Sequence, residues 1–231
     1  MKQQIQRTVP MMLGIVRPNS LQESRAMAGR FGFDASLMAS GGITRLPLRM
    51  EIPPGRSFAA TIASVRTRLQ SVRNGLRQRR RETATATERE TAYHEAGHAV
   101  IDTVHGIEVF FASVKPERNW LGAVWPNEMQ MRLASRETRL ACTVAGALAV
   151  CIGMGTSTAD VTIRGIDETN IIKELGTGWY RNSPAFKAAL RSTEWELRNN
   201  WRAVETIARM LLGDVELDGS AVRETVRNCG K

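Results

Sequence analysis

Cysteine is scarce in this chain, three residues in 231, and Cys142, Cys151 and Cys229 form no CxxC pair. That excludes a disulfide framework and a cysteine-based zinc site, and an odd, scattered set suits a reducing compartment. Cys142 and Cys151 fall in an apolar segment and are expected to be buried packing residues. Long hydrophobic runs are missing as well: none approaches the ~18 apolar residues of a membrane span, and Val9 to Val16 is too short for a signal-peptide core. A soluble, cytoplasmic protein without a membrane span is expected. Lysine is rare, and none of Lys2, Lys115, Lys173, Lys187 and Lys231 is followed by Ser or Thr. The phosphate-binding loop of ATPases, GxxxxGK followed by Ser or Thr, is therefore absent.

Histidine is as scarce as cysteine, yet two of the three histidines lie four residues apart in Thr91-Ala92-Tyr93-His94-Glu95-Ala96-Gly97-His98-Ala99-Val100-Ile101. This is an HExxH pattern. On a helix, positions i and i+4 share a face, so His94 and His98 can aim two neutral nitrogens at one point, as zinc ligation requires. Glu95 then sits beside the metal, where its carboxylate can take a proton from a zinc-bound water whose pKa has been lowered from about 16 to about 7. Apolar and small residues at 92, 96, 99, 100 and 104 make the segment amphipathic. Gly97 costs up to ~1 kcal/mol against alanine inside a helix, so it marks close packing or an approaching ligand.

The net charge of +9 is unevenly distributed. Residues 1–81 carry one Lys and fourteen Arg against Glu23, Asp34 and Glu51, a balance of +12; the remainder, seventeen basic against twenty acidic, is −3. Residues 1–56 show weak periodicity, broken by Pro10, Pro18, Gly41-Gly42, Pro47 and Pro53-Pro54-Gly55, and read as loops or local disorder. From Ser57, a candidate N-cap, apolar residues at 58, 62, 65, 69, 72 and 76 predict a helix over about 57–81 with an arginine-rich opposite face. The arm fits an organelle transit peptide, a nucleic-acid-binding segment or a solvated tail; aromatic residues for base stacking are missing near Arg77 to Arg81, which makes nucleic acid the minority reading. A Thr/Ala linker follows, and Thr87 with Glu90 resembles a capping box. Two parts are expected: a basic, partly disordered extension, 1–83, and a catalytic domain, 84–231.

Val109 to Val114 and Leu121 to Pro126, around a polar turn, predict a β-hairpin whose edge could accept an extended peptide. Ser135 to Ile152 reads as a core helix with small residues permitting close packing. A Gly/Thr/Ser-rich loop, 153–167, leads to a helix from about Glu168. Pro184 opens a long helical stretch containing Trp195 and Trp201, expected in the core, as two antiparallel helices or one bent one. Residues 215–219 read as a turn, with Ser220 capping a terminal helix. The fold class expected is mainly α (α+β), with a small hairpin near the active-site helix.

A third zinc ligand must come from elsewhere. His105 lies about 10 Å beyond His98 along a continuing helix and suits the helix C-terminus instead. The pattern HExxHxxGxxH is excluded, because Ile101 and Val104 stand where it needs Gly and His. Periodicity leaves Asp160, Asp167 and Glu168 open.

The string Ala92-Tyr93-His94-Glu95-Ala96-Gly97-His98-Ala99-Val100 resembles the peptidase domain of FtsH-type ATP-dependent zinc metalloproteases. The likeness covers roughly residues 86–228: the hairpin with Leu121-Gly122, the helix through Ala145-Gly146, the aspartate-led helix after it, and the Asn200 to Glu205 and Glu216 to Gly219 runs, which resemble stand-alone relatives. The resemblance implies a zinc metalloendopeptidase whose third ligand is an aspartate at a helix start with a small apolar residue four positions on; Asp167, followed by Ile171, is the match. It implies peptide or protein substrates, His94, His98 and Asp167 on zinc, and Glu95 as the base. Two departures stand out: no ATPase loop, so ATP-independent action with a separate unfoldase or adaptor as a partner, and no Arg and paired glutamates in the Ala145 to Val150 segment. The alternative is a non-catalytic interaction or regulatory protein that keeps the fold, with the basic arm on nucleic acid or an acidic partner.

Overall fold

The structure, a computed structural model, describes residues 58–116, 121–159, 161–176 and 179–229. Ser57, the rest of the N-terminal arm and Asp160 lie outside the described residues. The chain divides into two compact units, Met1–Thr67 and Arg68–Lys231. In the first, the described residues are the start of helix α1 (Phe58–Thr83), where Thr67 Oγ1 donates to the Ala63 carbonyl at 3.0 Å. The second holds the last turns of α1, all three histidines and the core. The C-terminal end of the arginine-rich helix therefore belongs with the histidine-bearing body: Arg77 pairs with Asp214, and Arg81 Nε donates to the Arg209 carbonyl at 2.9 Å.

Only Ala84 and Thr85 separate α1 from α2 (Ala86–Val104), so the expected linker is shorter than its composition indicated. Two overlapping T-x-x-E sequences occur here, and the earlier one forms the capping box. Thr85 Oγ1 accepts from the Glu88 amide at 3.2 Å, and the Glu88 carboxylate accepts from the Thr85 amide at 2.8 Å. Thr87 and Glu90 lie inside the helix instead. Satisfying the first amides two residues earlier lengthens the helix by the same amount.

Helix α2 is the centre of the fold. Ala92, Ala96, Ala99, Val100 and Ile101 are buried, while Val104 at its end is exposed. The hairpin forms as expected from strands β1 (Val109–Ser113) and β2 (Ala123–Pro126), which pair antiparallel with Phe111 opposite Trp125 and Ala112 opposite Val124. Phe111 and Trp125 stack with ring centroids 4.4 Å apart, a cross-strand aromatic pair of the kind that fixes register. A short helix, α3 (Glu128–Leu133), follows, with the Asn127 side chain accepting from the Met129 and Gln130 amides. Ser135 caps α4 (Arg136–Gly153), which lies along α2. A Cβ at Gly97 would come within 2.7 Å of the Ala145 carbonyl oxygen, so Gly97 answers to close helix packing rather than to a ligand.

Helix α5 (Gly165–Leu175) starts three residues before Glu168, the expected first residue, and ends at Gly176 in the left-handed conformation that glycine tolerates. After a short 3₁₀ turn (Tyr180–Asn182), the long C-terminal stretch is two helices, α6 (Pro184–Asn199) and α7 (Trp201–Asp214). Trp195 is 68 % exposed and is no core residue, although Leu197, Val204, Ile207 and Leu211 are buried as their spacing predicts. Residues 216–218, expected as part of a turn, form strand β3 (Glu216–Asp218) on the other side of β1, giving a three-stranded antiparallel sheet of order β2-β1-β3. The tight turn falls at Val215, at φ 70° an unfavourable position for a β-branched residue. In α8 (Gly219–Cys229) the Ser220 amide bonds the Asp218 carboxylate at 2.7 Å, so Asp218 supplies the cap expected from Ser220. The fold is mainly helical with a small sheet, and among the described residues no helix is long and apolar enough to cross a membrane.

Candidate metal centre

Helix α2 places His94 and His98 one turn apart on the face turned to α4, and α5 brings Asp167 to meet them. His94 Nε2 and His98 Nε2 are 3.1 Å apart, and Asp167 Oδ2 lies 3.2 Å from the first and 3.5 Å from the second. Zinc-bound nitrogen and oxygen donors stand about 2.0–2.2 Å from the ion, so two donors on one tetrahedron are separated by roughly 3.3–3.6 Å. The three separations lie at or near that edge length. Among the described residues this is the group of His, Cys, Asp and Glu side chains whose donor atoms could hold a metal ion.

Several contacts fix the donors. The His98 ring turns Nδ1 to the Cys142 carbonyl at 2.7 Å, which requires a proton on Nδ1 and points Nε2 at the meeting point. Room for both rings comes from Gly146 on α4. A Cβ there would overlap His98 Nε2 and sit 2.7 Å from His94 Cε1, so the missing side chain is a cradle for the imidazoles.

Asp167 owes its position to α5. It lies in the helix's first turn and is nearly buried; Ile171, one turn later on the same face, is fully buried. Arg139 on α4 grips Glu174 near the far end of α5 with two hydrogen bonds of 2.7 and 2.8 Å, a fork geometry that limits sliding and rotation. Glu168 accepts from the Tyr180 hydroxyl at 2.8 Å. Of the three carboxylates left open by periodicity, Asp167 meets the histidines, Glu168 holds a tyrosine, and Asp160 lies outside the described residues. His105 caps the C-terminus of α2 and pairs with Glu196 at 2.9 Å.

The electrostatics call for one cation at the meeting point. Burial by itself would lower the His98 pKa, but the hydrogen bond and charge of Asp167, with Glu95 and Asp102 behind, outweigh it and raise the value to about 10. Burial would raise that of Asp167, and the two imidazoles instead hold it well below the ordinary carboxylate range. A proton on His98 or a metal ion can supply that positive charge, and the two compete.

Glu95, 6 % exposed, lies beside this group. Burial raises its pKa, with His98 and His94 pulling the other way. The approach to β2 runs across it: a Cβ at Gly122 would be 2.8 Å from Glu95 Cγ and from Oε1. In the order β2-β1-β3, β2 pairs with β1 alone among the described strands, so a strand at the sheet's edge starts next to the candidate base.

Three residues around the site were not singled out by the sequence reading. Cys142 is buried, as expected for packing, but its backbone carbonyl orients His98, and a backbone acceptor leaves no trace in residue type. Gly146 resembled other small positions on its helix. Asp102 did carry a signal: it continues the 94, 98 spacing by another four residues, a carboxylate on the buried face of α2, and it is 3 % exposed.

Neither a scan against models of protein families nor a search of curated proteins finds a match to this chain.

Proposed function

We propose that the chain is a zinc-dependent metalloendopeptidase akin to the FtsH-type peptidase domain, acting without ATP of its own. The observation that supports this best is the convergence of His94, His98 and Asp167 at tetrahedral donor spacing with Glu95 alongside. His94 Nε2, His98 Nε2 and an Asp167 oxygen are the donors for the ion. Zinc would contribute Lewis acidity, polarising the scissile carbonyl and making a water acidic enough to lose a proton near neutral pH.

The remaining work belongs to the protein. Glu95 accepts the proton of the attacking water and returns it to the leaving amine as the C–N bond breaks. Its raised proton affinity suits a group that must gain and lose a proton in one cycle. An extended peptide adds to the β2 edge by main-chain hydrogen bonds, which carries it past Gly122 to the reacting centre. Substrates are accordingly peptides, loosely folded segments or proteins delivered by an unfoldase or adaptor. All three cysteines are free, which suits a reducing compartment such as the cytoplasm.

The test is zinc content and peptide cleavage in the purified chain and in Glu95→Gln. Stoichiometric zinc in both, with cleavage reduced by about 10²–10⁴-fold in the variant, is expected; a wild-type chain that takes up no zinc rules the proposal out.

A further inference from the structure

Asp102 is a buried carboxylate with no evident reason to be there. Among the described residues its Oδ1 has no hydrogen-bond partner, and burial is the main influence on the carboxyl, pushing its pKa up to about 6. The groups that act against this are His98 first, then the neighbouring Cys142 side chain, then His105. The His105 imidazole is already held by Glu196. A buried, half-satisfied anion is destabilising unless a positive charge compensates it. The direction from which compensation comes is His98, one helical turn away on the same face.

Cys142 links the two residues. Its backbone carbonyl receives the His98 Nδ1 proton, and its side chain lies beside the Asp102 carboxylate. His98 is thus backed by a chain of contacts ending in a negative charge. We propose that Asp102 is a positioning residue of the metal centre, whose carboxylate acts through Cys142 to hold the His98 ring and supplies a buried counter-charge that raises the affinity of the site for a divalent cation. The inference rests on the metallopeptidase reading for the identity of the site, but concerns a residue that touches neither metal nor substrate.

The test uses the full-length chain, with Zn²⁺ alone as the probe in competition with a chromogenic chelator, and thermal melting of the metal-free protein as the second readout. Asp102→Asn keeps the shape and removes the charge; Asp102→Leu replaces the anion by an apolar side chain of similar size. Expected is a zinc dissociation constant raised at least about tenfold in each, the range for groups that support metal ligands. The metal-free melting temperature is expected to be equal to or above that of the wild type, because a desolvated carboxylate with an unsatisfied oxygen has gone while Asp167 still balances His98. A structural role predicts the reverse: lower melting temperatures with unchanged zinc affinity. That result, unchanged affinity in folded variants, or failure of both variants to fold overturns the proposal. If wild-type protein binds no zinc, the metallopeptidase reading falls with it; if wild-type protein binds zinc and the variants bind it equally, this inference alone falls.

Discussion

Replacing Gly146 by alanine tests the metal centre without touching a charged residue. The added methyl would overlap His98 Nε2 and press on His94 Cε1 and Nδ1, at 2.7 and 2.8 Å. His98 cannot retreat easily, since its Nδ1 is tied to the Cys142 carbonyl. His94 can, because a third of its side chain is exposed. In metal-free protein His94 can swing outward, which relieves its own contact and frees space for the His98 ring to tilt off the methyl about its Nδ1 anchor, and Ala in place of Gly in a helix returns up to ~1 kcal/mol, so stability changes little. Zinc binding requires both rings back in place against the methyl, and overpacking of this kind costs about 1–3 kcal/mol. At ~1.4 kcal/mol per decade, the zinc dissociation constant rises about 5- to 150-fold. Chelator competition reads the constant and calorimetry reads the melting temperature. Gly75→Ala is the control: among the described residues a Cβ there meets nothing within 4 Å, so it should raise stability by up to ~1 kcal/mol and leave zinc alone. Wild-type zinc affinity in a folded Gly146→Ala chain would refute the placement of the site between α2 and α4.

Zinc uptake should release a proton, and between pH 7 and 9 its apparent binding constant should climb about tenfold per pH unit, because His98 is protonated up to about pH 10 in metal-free protein. The His98 value lies above its unfolded 6.5, so its contribution to metal-free stability is complete below about pH 6.5 and lost as pH rises to about 10; a melting temperature that does not fall over that window contradicts this. Asp167→Ala should abolish tight zinc binding, while Glu168→Gln, which alters the partner of Tyr180, should leave the zinc constant within about threefold of wild type, and isothermal titration distinguishes them. Thr85→Ala should cost about 1 kcal/mol in urea unfolding through loss of the capping box, whereas Thr87→Ala should change stability by less than about 0.5 kcal/mol; the opposite ranking would restore the later cap.

The parts of this architecture that depend on local pattern were legible. The i, i+4 spacing of His94 and His98 holds because α2 is regular there, and the hairpin follows from two β-rich runs that are neighbours in the chain. Elements decided by distant partners were not. Strand β3 has three residues, too few for periodicity, and exists because Ala112 finds Leu217 across a separation of more than a hundred residues. Asp167 could not be separated from its neighbours by periodicity because the choice depends on where α5 starts. That start is at Gly165, at φ 68°, and the helix is held by Arg139 and Tyr180 from other elements. Trp195 misled through its size: a large aromatic at a helical spacing looks like core, yet α6 turns it outward.

The two glycines at the α2–α4 contact have a consequence for how the protein can change over time. Gly97 admits Ala145 and Ala149, while Gly146 admits His94 and His98, so one helix crossing serves both as a close-packed seam of the interior and as the gauge that spaces the donors. In most cores a lost methyl at one position can be offset by a gained one nearby, with the helices drifting apart by a fraction of an ångström. Here such drift moves Gly146 relative to both imidazoles, and the ion's coordination sphere registers it. Neutral exchange of volume is therefore closed off along this seam, and stability and metal affinity should vary together in any set of seam variants.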